Sequence, residues 1–407
     1  MNYSIEKIAG IDCIFAPLEG TAITVEIMCK AGSVYENSKT NGISHFLEHL
    51  FFKGGEKYQT PKDVAEAVDK FGGEFNAYTG DEFAGYYVKC GPQFIEKAID
   101  VLGDMMMNAK FPKEELEREK GVVIQELKMY EDNPMSLVMQ KRQERYFGPN
   151  SYGRPIIGTV DNINAFTQDM LFEHKANLYT KDNLIIVVSG KILDKQGIID
   201  QITTLFGSLP DTKRVQIPAF PKDHLPAEQS SHFDKKTEQN HLIITFPGFD
   251  GNNPQRYAAN ILTTYVGGNM SSRLFQNIRE KQGLCYYIKA ANYSSQNHGQ
   301  IIIRAGIDKE RFDFGVEKIY EELEAIANGS MTQQDFENAI GYTEGQIQMG
   351  IETSDDMASF LGAQYLLYGK IETLDEVLAE YKKVTLEDIQ AIAKTLTKDN
   401  SKLYWIQ

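Results

Sequence analysis

Two histidines and a glutamate stand close together near the start of the chain, in the order His45, Glu48, His49. The two histidines are four residues apart, so on an α-helix both imidazoles project from one face and can bind a single metal ion. Glu48 lies on the same face, where its carboxylate can take a proton from a metal-bound water molecule. The spacing therefore predicts a catalytic zinc site on a helix.

The same pattern has a structural interpretation, in which both histidines are simply packed and hydrogen-bonded on an amphipathic helix. A catalytic zinc ion needs a third protein ligand and an open fourth position. Carboxylates are available on a long charged helix predicted from residue 112 to residue 130, where Glu119 and Glu126 are seven residues apart and share a face. Spacing alone neither chooses between them nor separates them from solvated surface glutamates.

The elements around these residues indicate a mixed α/β fold. Alternating apolar residues predict strands over residues 11–16 and 23–28, followed by a helix over residues 42–52 that carries the histidines. Further strands are predicted over residues 74–79 and 83–89.

A duplication divides the chain. Thr180-Lys181-Asp182-Asn183 recurs as Thr397-Lys398-Asp399-Asn400, and each copy precedes a predicted strand. Prolines cluster between residues 209 and 229, as in a linker. We therefore expect domains at residues 1–212 and 229–407, joined by a linker at 213–228. The offset of the two copies places Leu262 and Val266 opposite the two histidines, so the second domain carries no zinc site.

Composition excludes several classes of protein. The 407 residues have a net charge of −15, from 57 acidic and 42 basic residues, which disfavours nucleic acid and anionic membranes as partners. No apolar run approaches the ~20 residues of a membrane helix, and the first residues do not form the pattern of a signal peptide. The four cysteines are widely separated and form no CxxC pair, which fits free thiols in a cytoplasmic protein.

These residues together resemble the pitrilysin, insulysin and mitochondrial processing peptidase family of zinc metallopeptidases, the inverzincins with the H-x-x-E-H motif. In that family the third ligand is a Glu ~77 positions after the second histidine, with another Glu seven residues before it. The resemblance implies that His45, His49 and Glu126 bind one Zn²⁺ per chain. It also implies that Glu48 is the general base and that Glu119 supports the site.

Two further segments match the family. Residues 72–79 resemble the edge strand near the zinc ion, where the backbone at Asn76 and Ala77 pairs with the substrate as an added strand. Residues 272–286 resemble the segment whose Arg and Tyr hold the substrate carbonyl and backbone, which are Arg279 and Tyr286 here. Without the family, these segments would be interpreted as an ordinary strand, a helix-surface Arg and a packed Tyr.

The resemblance implies an α+β fold of two homologous domains, each a mainly antiparallel sheet with helices on one face. It implies a zinc endopeptidase of peptides or unfolded segments, acting through a zinc-bound water. Because one chain carries both the zinc motif and the Arg/Tyr segment, we expect a homodimer that closes around a chamber. Two alternatives stay open: a non-catalytic scaffold or partner subunit of the same fold, and a zinc hydrolase of non-peptide substrates.

Overall fold

The computed structural model describes residues 1–220, 226 and 228–407. Residues 221–225 and 227, in the predicted linker, lie outside the described residues. The chain forms two compact units. Unit 1 contains residues 1–128, 154–218 and 350–371, and unit 2 contains residues 129–153, 219–349 and 372–407. Each unit thus takes in one segment from the opposite half of the sequence, and the domain boundaries given above stay a prediction.

The described strands form one sheet in each unit, and they are numbered here in chain order. Unit 1 contains β1 (Ser4–Ile8), β2 (Ile11–Pro17), β3 (Ile23–Cys29), β4 (Glu74–Thr79), β5 (Ala84–Cys90) and β6 (Leu184–Gly190). Unit 2 contains β7 (Ser230–Phe233), β8 (Gln239–Pro247), β9 (Cys285–Ser294), β10 (Gly299–Asp308) and β11 (Lys402–Ile406).

Some helices pack against these sheets and others pack against helices. In chain order they are α1 (Ile43–Phe51), α2 (Pro61–Asp69), α3 (Ile95–Met107), α4 (Lys113–Asp132), α5 (Pro134–Phe147), α6 (Val160–Ala165), α7 (Gln168–Leu178), α8 (Lys195–Phe206), α9 (Gln255–Thr263), α10 (Phe312–Ala327), α11 (Gln333–Met349), α12 (Ser354–Tyr368), α13 (Leu374–Lys383) and α14 (Leu386–Ala393). None of the helices in the described part of the chain is both long and apolar enough to cross a lipid bilayer.

Five strands of the first sheet, all except β1, are arranged as in the second sheet, which supports the duplication. The first has the strand order β1-β2-β6-β3-β5-β4, and the second has the order β7-β11-β8-β10-β9. In each sheet one pair is parallel, β2 with β6 and β7 with β11, and the other pairs are antiparallel. The predicted α+β fold of two related domains is therefore confirmed.

The repeated Thr-Lys-Asp-Asn segment has the same local structure in both copies. The side-chain amide of Asn183 donates to the carbonyl of Leu178 at 2.6 Å, and that of Asn400 donates to the carbonyl of Thr395 at 2.8 Å. In both copies the donor lies five residues after the acceptor. The Asn thus closes the turn that leads from a helix into the strand that follows, β6 or β11.

Helices cover both faces of the first sheet, so the expectation of helices on one face is wrong for this sheet. Alternate residues of the strands point to opposite faces, and one face packs against α1, α3 and α7 to form the larger core. The other face packs against α12, which buries Met357 and Leu361 on Met28 of β3 and Val187 of β6. In unit 2, α5 packs on β8 and β11 in the same way.

The face under α12 contains a buried carboxylate, Glu26 of β3, which is fully buried. Burial raises the pKa of Glu26 from its ordinary 4.5 to about 7, although hydroxyl donors on Tyr78 and Ser359 favour the charged form. Between these two pH values the folded protein keeps a proton that the unfolded chain has lost, so the unfolding free energy falls as pH rises.

Replacing Glu26 by Gln is therefore expected to remove a pH dependence worth about 3 kcal/mol between pH 4.5 and pH 7. Urea unfolding of both proteins at pH 5 and pH 8 measures it. The wild type should lose more stability than Glu26→Gln as the pH rises. Equal losses in the two proteins would contradict this assignment.

Candidate metal centre

Helix α1 is fixed at both its apolar face and its N-terminus. Phe46, Leu47 and Leu50 are fully buried, so the opposite face remains for polar side chains. The helix begins after Gly42, whose φ of 92° suits glycine, and a Cβ there would lie 2.6 Å from the Cα of Gly158. These contacts fix the orientation of α1 in the unit.

A buried carboxylate replaces the side-chain cap that Gly42 cannot supply. Glu36 accepts hydrogen bonds from the backbone N–H of Gly42 at 2.8 Å and of Ser44 at 2.9 Å. Two of the free N–H groups at the start of α1 are thereby satisfied. Ser44 also contacts His174 of α7 at 3.0 Å, which ties the first turn to a second helix.

Three possible ligand atoms converge between α1 and α4. His45, His49 and Glu126 each offer one nitrogen or oxygen, and these atoms lie within 4.8 Å of one another. Nε2 of His45 is 3.7 Å and Nε2 of His49 is 3.4 Å from the carboxylate of Glu126. The structure therefore brings together the three residues that the family resemblance implies as zinc ligands. Of Glu119 and Glu126, between which spacing could not choose, Glu126 is the one that faces both histidines.

The charges of these groups fit a divalent cation. Burial lowers the pKa of His45 to about 4, with a further contribution from His49. Burial also lowers the pKa of His49, but hydrogen bonds to Glu119 and Glu126 outweigh it and raise the pKa to about 9. Among the protein groups alone, the cluster therefore holds one positive charge facing Glu126. A metal ion would take the place of that proton, as is usual when a ligand set binds metal, and two imidazoles with one carboxylate suit zinc.

Glu119 orients His49 from the side opposite to Glu126. Its carboxylate contacts Nδ1 of His49 at 2.8 Å and the ammonium group of Lys53 at 2.7 Å. Burial raises the pKa of Glu119, but the hydrogen bonds from His49 and Lys53 outweigh it and lower the pKa below its ordinary value. With Nδ1 held as the donor, Nε2 of His49 is left as the ligand atom.

Glu48 is held by the strand β4. Its carboxylate accepts a hydrogen bond from the hydroxyl of Thr79 at 2.5 Å. Burial raises the pKa of Glu48. The hydrogen bond from Thr79 and the charge on His49 act against this rise, and the charge on Glu126 adds to it. A carboxylate whose pKa is raised is a stronger base than a solvated one, which suits proton transfer.

Strand β4 carries the two residues predicted to pair with substrate. It is the terminal strand of the first sheet and bonds to β5 alone among the described strands. Asn76 is exposed, and its side-chain oxygen accepts a hydrogen bond from the backbone N–H of Ala77 at 2.9 Å. An edge strand of this kind can accept an added strand, so the position of β4 agrees with the expected role of Asn76 and Ala77 without testing it.

Arg279 and Tyr286 lie together in unit 2. Arg279 is in a π-helical turn, Phe275–Glu280, with its guanidinium 4.4 Å from the centre of the Phe275 ring and 5.8 Å from that of Tyr286. The side chain of Tyr286 is exposed at the start of β9, and a cavity of about 280 Å³ adjoins the pair. The predicted pair is therefore assembled within its own unit, and its role toward a substrate stays a prediction.

Sequence reasoning missed two polar side chains that support the site. Thr79 contacts Glu48, and Lys53 contacts Glu119. Lys53 is four residues after His49, a helical spacing that signals a shared face. Thr79 ends the strand segment already singled out, but nothing in that segment indicates that its hydroxyl reaches α1.

The chain is similar to known families and to solved structures. The family model described as insulinase (peptidase family M16) matches residues 18–160, and the model described as the peptidase M16 inactive domain matches residues 165–341. A protease from Helicobacter pylori has a similar crystal structure, with a TM-score of 0.88 at 21% identity, covering 100% of this chain and 99% of that chain. A peptidase M16 inactive domain from Pseudomonas fluorescens gives a TM-score of 0.91 at 18% identity, covering 100% and 98%.

Two proteins of similar sequence are named as uncharacterized zinc proteases. An uncharacterized zinc protease of Bacillus subtilis, YmxG, is 34% identical over 378 residues, which are 92% of this chain and 90% of that protein. An uncharacterized zinc protease of Streptomyces coelicolor is 31% identical over 376 residues, which are 91% of this chain and 82% of that protein. The chain therefore belongs to peptidase family M16, the insulinase family, among relatives named as zinc proteases.

Proposed function

We propose that this chain is a zinc-dependent endopeptidase that hydrolyses peptides and unfolded polypeptide segments. The observation that carries the proposal is the convergence of His45, His49 and Glu126 beside Glu48. Three protein ligands with an adjacent half-buried carboxylate form the arrangement of a catalytic zinc site. When bound there, a zinc ion supplies a Lewis acid that polarises a carbonyl and makes water a better nucleophile.

The protein groups then have separate tasks in peptide hydrolysis. Glu48 accepts a proton from the water that attacks the peptide carbonyl, and passes it to the leaving amine. Thr79 holds the carboxylate of Glu48 by its 2.5 Å hydrogen bond, which limits its rotation. Arg279 and Tyr286 supply a cation and a phenol that suit the developing oxyanion, as the family resemblance implies.

The substrate class follows from the edge strand. Pairing along β4 uses backbone groups, so it accepts many sequences but requires an extended segment. Folded proteins expose few such segments, whereas peptides and unfolded chains expose them throughout. A homodimer enclosing a chamber, as the resemblance implies, would strengthen that limit and belongs to the same proposal.

The experiment is a digestion of the zinc-loaded protein with a peptide library, an unfolded protein and the same protein folded, alongside small amides and esters. We expect cleavage of the library and the unfolded protein, and little cleavage of the folded one. Absence of cleavage in every sample would favour the alternative of a non-catalytic scaffold or partner subunit of the same fold. Cleavage confined to small amides or esters would favour a hydrolase of non-peptide substrates.

A further inference from the structure

Tyr78 of β4 reaches a buried carboxylate two strands away. The order β3-β5-β4 separates β4 from β3 by one strand, a distance of about 9.6 Å at the usual strand spacing. The hydroxyl of Tyr78 nevertheless donates to Glu26 of β3 at 2.8 Å. Glu26 is also held from above, because the hydroxyl of Ser359 on α12 donates to its other oxygen at 3.0 Å.

Gly85 of β5 makes this reach possible. Gly85 is the partner of Tyr78 in the β4–β5 register. A Cβ at Gly85 would lie 2.4 Å from Cζ and 2.5 Å from the hydroxyl oxygen of Tyr78. Any side chain there would displace the ring, so the missing side chain of Gly85 opens the path along which Tyr78 crosses β5.

The next residue of β4 makes the corresponding contact on the opposite face. Successive strand residues point to opposite faces of a sheet, and Thr79 donates to Glu48 while Tyr78 donates to Glu26. Both contacts act on an edge strand, which has backbone hydrogen bonds on one side alone and is therefore less restrained than an inner strand.

We propose that Glu26, Tyr78 and Gly85 form an anchor that positions β4, both for pairing with the substrate backbone and for the contact of Thr79 with Glu48. The anchor residues are positioning residues, because they act through β4. The inference rests on the proposed function in one respect, the pairing of substrate with β4; the restraint on β4 itself does not depend on it.

A matched control separates positioning from general stability. The hydroxyl of Thr24 on β3 contacts that of Ser354 on α12 at 2.8 Å. Like the contact of Ser359 with Glu26, this hydrogen bond joins β3 to α12, and Thr24 is fully buried. It involves no residue of β4. Tyr78→Phe and Thr24→Val each remove one hydroxyl from this face, so both should lower thermal stability, but Tyr78→Phe alone removes the anchor.

The test measures hydrogen exchange by mass spectrometry over residues 74–79 and over β3 in the zinc-loaded protein. Loss of one buried hydrogen bond to Glu26 is expected to speed exchange in β4 about five- to tenfold in Tyr78→Phe. Exchange in β4 should match the wild type in Thr24→Val. In peptide cleavage, Tyr78→Phe should raise KM for extended peptides by a similar factor and change kcat less.

A second variant addresses the path across β5. Gly85→Ala is expected to displace Tyr78 and to accelerate exchange in β4 at least as much as Tyr78→Phe. Unchanged exchange in β4 for Tyr78→Phe, or equal acceleration in Thr24→Val, would overturn the anchor. If the wild type cleaves no peptide, the proposed function fails, but the exchange measurements still decide whether the anchor exists.

Discussion

Replacing Glu48 by Gln is expected to lower kcat for peptide hydrolysis by about 10²–10⁴-fold, the usual contribution of a general acid–base residue. Gln keeps the size of the side chain and an oxygen that can accept the hydrogen bond from Thr79. It cannot take up a proton. The loss should therefore appear in kcat, and the zinc content and the thermal midpoint should stay those of the wild type.

The control for this variant is Glu114→Gln, which makes the same change at an exposed position in the first turn of α4. Steady-state kinetics on a cleaved peptide, with zinc measured in the same samples, compare the three proteins. Wild-type kcat is expected for Glu114→Gln. If Glu48→Gln retains more than a tenth of wild-type kcat, Glu48 is not the general base.

Replacing Glu119 by Gln is expected to weaken zinc binding about 10–100-fold, the usual effect of losing a partner of a ligand histidine. Glu119 contacts Nδ1 of His49 and pairs with Lys53. A neutral amide loses the charge that favours Nδ1 as the donor, and it leaves Lys53 without its ion pair. His49 is then less firmly held with Nε2 toward Glu126.

Competition with a chelator of known affinity measures this change. The matched control is Glu117→Gln on the same helix, where the carboxylate is 68% exposed and pairs with Lys120 at the surface. Its zinc affinity should equal that of the wild type. Equal affinity in Glu119→Gln and the wild type would show that Glu119 does not act on the metal site.

Features set by local geometry could be predicted from the sequence. The spacing of His45 and His49 places them on one helix face, and the structure has that helix at Ile43–Phe51. The expected strand over residues 74–79 is also found with those bounds. Because Glu119 and Glu126 share a face by the same rule, spacing left both open as ligands; the family resemblance and then the packing of α4 distinguished them.

Features set by long-range packing could not be predicted. The sequence does not indicate that α12 packs on the first sheet, because its helical pattern says nothing about which sheet receives it. The contacts of Thr79 with Glu48 and of Tyr78 with Glu26 likewise depend on how β4 lies against other elements. Such contacts follow from strand order and register, which local propensity does not determine.

In the proposed mechanism, His45, His49 and Glu126 hold a zinc ion that is required for peptide hydrolysis. The most direct test measures zinc content and peptide products in one preparation, as purified, after chelation and after zinc is restored, with Glu48→Gln treated in parallel. We expect one zinc per chain, cleavage that disappears with the metal and returns with it, and a kcat about 10²–10⁴-fold lower for zinc-loaded Glu48→Gln. Cleavage that persists after chelation, or a Glu48→Gln protein that keeps more than a tenth of wild-type kcat, would contradict this mechanism.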